Sequence, residues 1–125
     1  MRSTQSMGGS VKEIAVSHGL DVTTMAGRVT VTGHADGSGT AATFLNPQDV
    51  TTDGSNLYIT DSWNDTIRRL AIAIEAVTTI AGQGVPGYAD GPGATAMFRK
   101  TAGITTDGTN LYVTDAGNGT IRQIH

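Results

Sequence analysis

The chain has 125 residues, of which 38% are apolar and 5% aromatic, and its formal net charge is −3. A chain of this length is normally one domain, and without a basic run it lacks the Lys- and Arg-rich face of nucleic-acid binders. The absence of cysteine excludes disulfides and thiolate metal sites, and no apolar run is long enough to cross a bilayer. We predict a soluble protein with no nucleic-acid and no membrane partner. The sequence leaves the compartment open, and an extracellular or periplasmic parent protein is compatible with it.

The predicted elements begin after a short leader. Residues 1–10 lack the apolar middle of a signal peptide and are predicted to be a flexible leader or tag. From residue 11 onward, β-branched runs alternate with turn residues and no helical period occurs. In chain order, the predicted strands are 11–16, 21–26, 47–53, 56–61, 66–74, 76–82, 103–107, 111–115 and 120–124. Residues 48–81 therefore form one complete four-stranded antiparallel meander, whose strands are called inner, second, third and outer.

Three stretches of the sequence occur twice in the same order. TTDGSNLYITD at 51–61 returns as TTDGTNLYVTD at 105–115, and HADGSGTAATF at 34–44 returns as YADGPGATAMF at 88–98. VTTMAG at 22–27 returns as VTTIAG at 77–82. A single meander cannot bury both of its faces, whereas meanders stacked around an axis can. The repeat therefore predicts an all-β fold of β-propeller blades, two per chain, with a boundary near residues 82–102.

The repeated pattern resembles a known family. ADGxGxxAxF, then TTDGxNLYxTDxxNxTIR, then VTTxAG is similar to the NHL-repeat propellers of bacteria, and the resemblance covers residues 11–125. It implies a propeller segment of the kind that binds proteins, small ligands or, in some animal members, RNA. The acidic balance of this chain disfavours RNA.

Two blades are too few to close a propeller, which has roughly four to eight. The first outer strand has no blade of its own, and the last third strand, 120–124, has no outer strand after it. We predict that the strand around 21–26 of one chain completes the last blade of the next, in a head-to-tail ring. Three chains would give six blades and four would give eight, so a homotrimer is predicted first and a homotetramer next. The inter-chain residues are Val22, Thr23, Thr24 and Met25.

This arrangement leaves one strand too many, and an alternative stays open. Both 11–16 and 120–124 fit the third-strand position, and the sequence does not choose between them. The alternative is that the chain is a segment of a longer propeller. In that case its end strands are paired by other parts of the same polypeptide.

Short polar turns follow the second strands. Aspartate and asparagine oxygens at short spacing suit calcium, but the acidic density of a calcium loop is missing. We therefore predict structural turns in which Asp accepts backbone N–H bonds and Asn takes the left-handed conformation. Arg68 and Arg122 are predicted to pair with such an Asp. The turn residues are Asp61, Asn64, Asp115 and Asn118.

The candidate ligand-binding residues lie in two places. The first is the pair of ADG loops, residues 34–44 and 88–98, and the second is the entrances of the inner strands. The ADG loops lie on one face of the ring, although their Asp-Gly pairs also suit a turn that fixes the next blade. The inner-strand entrances lie near the axis, where related six-bladed hydrolases hold a catalytic calcium. The candidates are His34, Asp36, Tyr88, Asp90, Asn46, Asp49 and Lys100, with Asp49 as a weak metal candidate.

The sequence predicts a binding module rather than an enzyme. It contains no nucleophile motif and no phosphate loop, so no catalytic residue is proposed and no cofactor is expected, with calcium as the open alternative. The competing functions are a calcium-dependent hydrolase or lyase of the propeller type and a purely structural repeat. The partners predicted are further copies of the chain and an unknown protein or small molecule. Trp63, on the turn after a second strand, is predicted to cap a neighbouring cluster.

Overall fold

A computed structural model describes residues 8–14, 16 and 19–125 of the chain. Most of the predicted leader lies outside these residues, and the first strand begins at Gly9. Two short 3-10 turns, Gly39–Ala41 and Ser62–Asn64, interrupt a succession of strands. The strands are β1 (Gly9–Ile14), β2 (Val22–Arg28), β3 (Gly37–Ser38), β4 (Pro47–Thr52), β5 (Asn56–Asp61), β6 (Thr66–Ala71), β7 (Ala76–Ala81), β8 (Thr101–Thr106), β9 (Leu111–Asp115) and β10 (Thr120–Ile124).

The strands form three antiparallel sheets, so the predicted all-β fold is confirmed. β1 pairs with β2 in the first sheet, and the last sheet has the order β10-β9-β8. Between them, the complete blade has the order β3-β7-β6-β5-β4, which contains the predicted four-stranded meander. The hairpins between inner and second strands turn at Gly54 and Gly108, whose positive φ angles of 98° and 95° favour glycine. Among the described residues, no helix is both long and apolar enough to span a bilayer.

Strand β3 was not predicted. Its two residues, Gly37 and Ser38, lie in the ADG loop and pair with Val77 and Ala76 of β7. The outer strand of the complete blade is therefore held from both sides, by β6 and by β3.

Two apolar clusters hold the sheets together. The first joins β2 residues Met25 and Ala26 to Phe44, Leu70 and the rest of the complete blade. The second lies between the complete blade and the last sheet and consists of Ile67, Ala81, Ala96, Phe98, Ile104, Leu111 and Val113. Each outer strand thus packs against the sheet that follows it, as expected for stacked blades.

Polar contacts from β4 and β5 of the complete blade fix the inner strand β8 of the last sheet beside it. Asp49 Oδ2 accepts a hydrogen bond from the Ile104 backbone N–H at 2.9 Å. Thr60 Oγ1 donates to the Ala102 carbonyl oxygen at 2.8 Å, 42 residues along the chain. These bonds cross from one sheet to the next, so they orient the blades as well as holding them.

Candidate functional site

Arg68 lies at the centre of a buried polar cluster in the complete blade. Its Nη1 donates to Asp61 Oδ2 at 2.8 Å, and both of these side chains are fully buried. Its Nη2 donates to Asp36 Oδ1 at 3.0 Å, and two backbone carbonyls of the ADG loop accept further bonds. The guanidinium also lies 4.7 Å from the centre of the Phe44 ring, within the range of a cation–π contact. We call this arrangement the arginine clamp, because it fastens the ADG loop to strands β5 and β6.

The last sheet repeats the arginine clamp with different aromatic neighbours. Arg122 donates to Asp115 Oδ2 and to Asp90 Oδ1, each at 2.8 Å. Its guanidinium lies 4.8 Å from the Phe98 ring centre and 4.6 Å from that of Tyr88. Each ADG-loop carboxylate therefore forms an ion pair with a clamp arginine: Asp36 with Arg68 and Asp90 with Arg122.

The outer strand distinguishes the two clamps. In the complete blade, the Asp36 carboxylate also accepts bonds from the backbone N–H of Thr79 at 3.2 Å and from its hydroxyl at 2.9 Å. Thr79 belongs to the outer strand β7. The Asp90 side chain is 76% exposed, against 48% for Asp36. The last clamp therefore presents its carboxylate to solvent at the position that an outer strand would cover.

The prediction that the turn asparagines take the left-handed conformation is wrong. Asn64 Nδ2 donates to Asp61 Oδ2 at 2.6 Å, and the left-handed residue is Asp65, with a φ of 58°. The asparagine amide is needed by the buried carboxylate, so the positive φ falls on the next residue. The second copy has the same arrangement at Asn118, Asp115 and Gly119.

Burial changes the acidity of this carboxylate. Desolvation raises the pKa of Asp61, against the hydrogen bonds from Asn64, the Leu45 backbone N–H and Arg68, which lower it. The group is thus held by its neighbours rather than by water.

Asp49, the weak metal candidate, uses both carboxylate oxygens for backbone bonds. Oδ1 accepts from the N–H of Val50 at 2.9 Å, and Oδ2 accepts from the N–H of Ile104 in the next sheet. Within the described part of the chain, no three His, Asp or Glu side chains come together in a possible metal cluster. The position of Asp49 therefore serves the junction between blades.

Asn46 and Lys100, at the two inner-strand entrances, share a left-handed backbone, with φ angles of 56° and 52°. The Lys100 ammonium lies 5.6 Å from the centre of the Trp63 ring, which comes from the turn after β5. Trp63 is 44% exposed, and its role as a cap at the edge of a neighbouring cluster stays a prediction. His34 is also exposed. Trp63 and Lys100 thus form an exposed aromatic–cation pair beside the start of β8, and we call the surface around these two residues the entrance face.

A second repeated site was missed by the sequence interpretation. Asp53 accepts bonds from the backbone N–H groups of Asn56 and Ser55 and from the Tyr58 hydroxyl. These bonds lower its pKa to about 2. Burial raises the pKa of Tyr58, and the bond to this carboxylate adds to the rise. The recurrence of DGxNxY in both copies was a signal for this arrangement, which the second copy makes at Asp107, Asn110 and Tyr112.

An open groove of about 630 Å³ runs along strand β10. One wall is β10 from Ile121 to Ile124 together with the following His125, and the other is the loop from Asp90 to Gly93. Ala81, Ala96 and Phe98 are among the residues that line it. By the repeat, Gly91 and Pro92 match the two residues of β3. The groove therefore corresponds to the position that β7 occupies between β6 and β3.

Comparison with known proteins identifies relatives that are much longer. No family model matches the sequence. Protein SUPPRESSOR OF QUENCHING 1 of Arabidopsis thaliana is 36% identical over 95 residues, which are 74% of this chain and 9% of that protein. NHL repeat-containing protein 2 of Gallus gallus is 38% identical over 55 residues, which are 44% of this chain and 8% of that protein. The chain spans less than a tenth of either relative.

Solved structures from Bacteroides share the fold. A protein of unknown function from Bacteroides thetaiotaomicron has a TM-score of 0.82 and 29% identity over 91% of this chain and 29% of its own. An auxiliary nutrient binding protein from the same species has a TM-score of 0.80 and 25% identity over 91% of this chain and 31% of its own. The sheets thus match about a third of larger propeller-type structures. Together, the repeated motifs, the relatives and the shared fold show that the chain belongs to the NHL-repeat β-propeller family.

Proposed function

We propose that the chain is a non-enzymatic binding module that assembles with its own copies into a closed ring, three chains forming six blades. One observation is the main support for the proposed assembly. The outer-strand position beside β6 is filled by β7, and the same position beside β10 is an open groove, whereas β2 repeats the β7 sequence. A head-to-tail contact of this kind closes into a ring when the rotation per chain allows it.

The ligand is proposed to bind at the entrance face. Trp63 offers an exposed ring, and Lys100 places a cation beside it. Aromatic residues with a charged neighbour are common anchors of binding sites. The similarity to the auxiliary nutrient binding protein of B. thetaiotaomicron supports a nutrient as the ligand. An extracellular or periplasmic placement fits such a role and stays a prediction.

The ADG-loop carboxylates contribute to this function indirectly. Asp36 and Asp90 are bound to the clamp arginines, so the proposal assigns them to fixing the loops. His34 and Tyr88, which differ between the two copies, then form a variable rim. Asn46 and Asp49 lie at the inner-strand entrance, which the proposed ring would place near its axis.

The assembly is tested by the mass in solution, measured by sedimentation over a wide range of protein concentrations. We expect a species of three times the 12.9 kDa chain mass. A species of four chains would keep the ring and change its blade number. A single chain at every concentration would overturn the proposed assembly.

The binding face is tested by the fluorescence of Trp63, which is the only tryptophan in the chain. Panels of saccharides and short peptides are titrated, and a saturable change in fluorescence is expected with at least one class. The variant Lys100→Met should weaken that binding, whereas Lys12→Met, on β1, should not. A melting-temperature shift on adding calcium alone would instead favour the metal-dependent alternative.

A further inference from the structure

Strand β1 holds β2 in the same way that β6 holds β7. Val11 pairs with Ala26 and Lys12 with Thr24, and a bulge separates the two pairs. In the complete blade, β6 pairs with Ala81 and Thr79 of β7, and a bulge lies at the same place. The identical register means that β1 occupies the third-strand position beside β2.

β1 is nevertheless a poor third strand. Lys12 stands where the repeat has a clamp arginine, and among the described residues its side chain bonds to the Thr24 hydroxyl alone, at 2.6 Å. Arg68 donates four bonds from the matching position. A lysine cannot reproduce this, because it lacks the planar fork of the guanidinium. The side chain of Lys12 is also exposed, unlike that of Arg68.

β10 is a complete third strand without an outer strand. Arg122 already stands in its clamp, and Ile121 is 71% exposed. Its counterparts in the other copies are buried, since Ile67 is 0% and Val11 is 9% exposed. The apolar residue that should lie between blades is therefore on the surface of β10.

The outer strand β2 also leaves an apolar residue exposed that is buried in the complete blade. Val22 is 59% exposed, whereas its counterpart Val77 in the complete blade is 1% exposed. Thr24 matches Thr79, whose hydroxyl and N–H bind the ADG-loop carboxylate. The carboxylate that would receive Thr24 is Asp90 of another copy.

We propose that β10 of a second copy displaces β1 from β2, so that β1 is a provisional strand that holds the edge until assembly. This inference rests on the proposed ring and adds which strand leaves. Ile121 of the incoming strand takes the place of Val11. Arg122 comes to lie opposite Thr24, as Arg68 lies opposite Thr79. Asp90 then accepts the bonds of the Thr24 hydroxyl and N–H.

The experiment uses cysteine pairs, since the natural chain has no cysteine. Thr23→Cys with Gln123→Cys tests the exchanged pair, and Thr23→Cys with Glu13→Cys locks β1 in place. Arg69→Cys with Thr78→Cys is the matched control, because this pair has the same register in the complete blade. All five side chains are exposed, so the substitutions should leave the fold intact.

Under mild oxidation, the pair at 23 and 123 should link chains covalently into multimers, as measured by mass without reductant. The pair at 13 and 23 should form a bond within one chain. That bond should shift the assembly midpoint to higher concentration by at least about tenfold, and reduction should reverse the shift.

Failure of the inference and failure of the ring are distinguishable. If the unmodified chain assembles and the control pair at 69 and 78 links, but the pair at 23 and 123 does not, β10 is not the incoming strand. If the locked chain assembles as readily when oxidised as when reduced, β1 does not leave. Both results overturn the exchange and leave the ring standing. If the unmodified chain never assembles, both the proposed ring and the proposed strand exchange are wrong.

Discussion

The complete blade and the last sheet have nearly the same sequence in their second and third strands, yet they end differently. In both, an arginine on the third strand binds a buried aspartate and an aspartate of the ADG loop. Only the complete blade has an outer strand over this cluster. The difference shows that the arginine clamp forms without the outer strand, and the proposed ring would add that strand to an edge that is already held in place.

Preorganisation of this kind favours association, because the groups at the edge do not have to be ordered on binding. Asp90 is held by Arg122 in the position that Asp36 has beneath Thr79. An unpaired strand edge is otherwise a route to aggregation. The proposed ring covers this edge with a defined partner.

The largest contrast between the two regions is expected at the matched isoleucines. Ile67→Asp places a charge in a fully buried position and should cost more than about 4 kcal/mol, enough to unfold the chain. Ile121→Asp changes an exposed residue and should alter the stability of the dilute chain by about 0.5 kcal/mol or less, while abolishing assembly. Circular dichroism and sedimentation report the two effects. Equal loss of folding in both variants would contradict the account.

A smaller contrast is expected at the clamp arginines. Arg68→Met leaves the fully buried Asp61 without its cation and should cost about 3–5 kcal/mol in urea unfolding. Arg122→Met should cost roughly half as much, because Arg122 lines the groove and its loss would open a path for water to Asp115, which is fully buried while the arginine is in place. An equal cost in the dilute chain would show that the outer strand does not matter to the clamp.

The outer-strand valines should differ less again. Val77→Ala removes two methyl groups from the core and should cost roughly 2 kcal/mol. Val22→Ala changes an exposed side chain and should leave the unfolding free energy of the dilute chain within about 0.5 kcal/mol. The same variant should weaken assembly. A Val22→Ala protein that assembles normally would place this residue outside the interface.

The sequence was sufficient to predict the main strands, because alternating residues and Asp-Gly turns are local signals. It missed β3, since two residues of a Gly-rich loop carry no strand signal of their own. It also extended the third strand to residue 74, whereas β6 ends at Ala71. The turn that follows contains Glu75 with a φ of 56°, and a positive φ at a non-glycine residue is not readable from composition.

The site was only partly predictable, because some of its contacts have a local sequence signal and others do not. The pairing of Arg68 with Asp61 was expected, because both recur at fixed spacing in the repeat. The wrong assignment of Asn64 came from treating the turn in isolation, when its amide is used by a buried carboxylate. The contact of Lys100 with Trp63 joins two sheets, and such long-range contacts depend on how blades stack rather than on local pattern.

The smallest effect is expected from the turn aspartates on acidification. The folded pKa of Asp53, about 2, lies below its ordinary value of 3.8, and that of Asp107 is also lowered. Their contribution to stability is therefore present above pH 3.8 and is lost as the pH falls toward 2. Asp53→Asn should reduce the loss of thermal stability across this window, and Asp21→Asn, at an exposed position, serves as control. If Asp53→Asn leaves the pH dependence of thermal stability unchanged, Asp53 does not contribute to the loss of stability in acid.

The most direct test of the central claim is amide hydrogen exchange along β1 and β10 at several protein concentrations. The account predicts that, as chains assemble, the outward-facing amides of β10 become protected while those of β1 lose protection. Amides of β6, which already have an outer strand, should not change. Protection in β10 that is independent of concentration, or protection in β1 that rises with assembly, would contradict it.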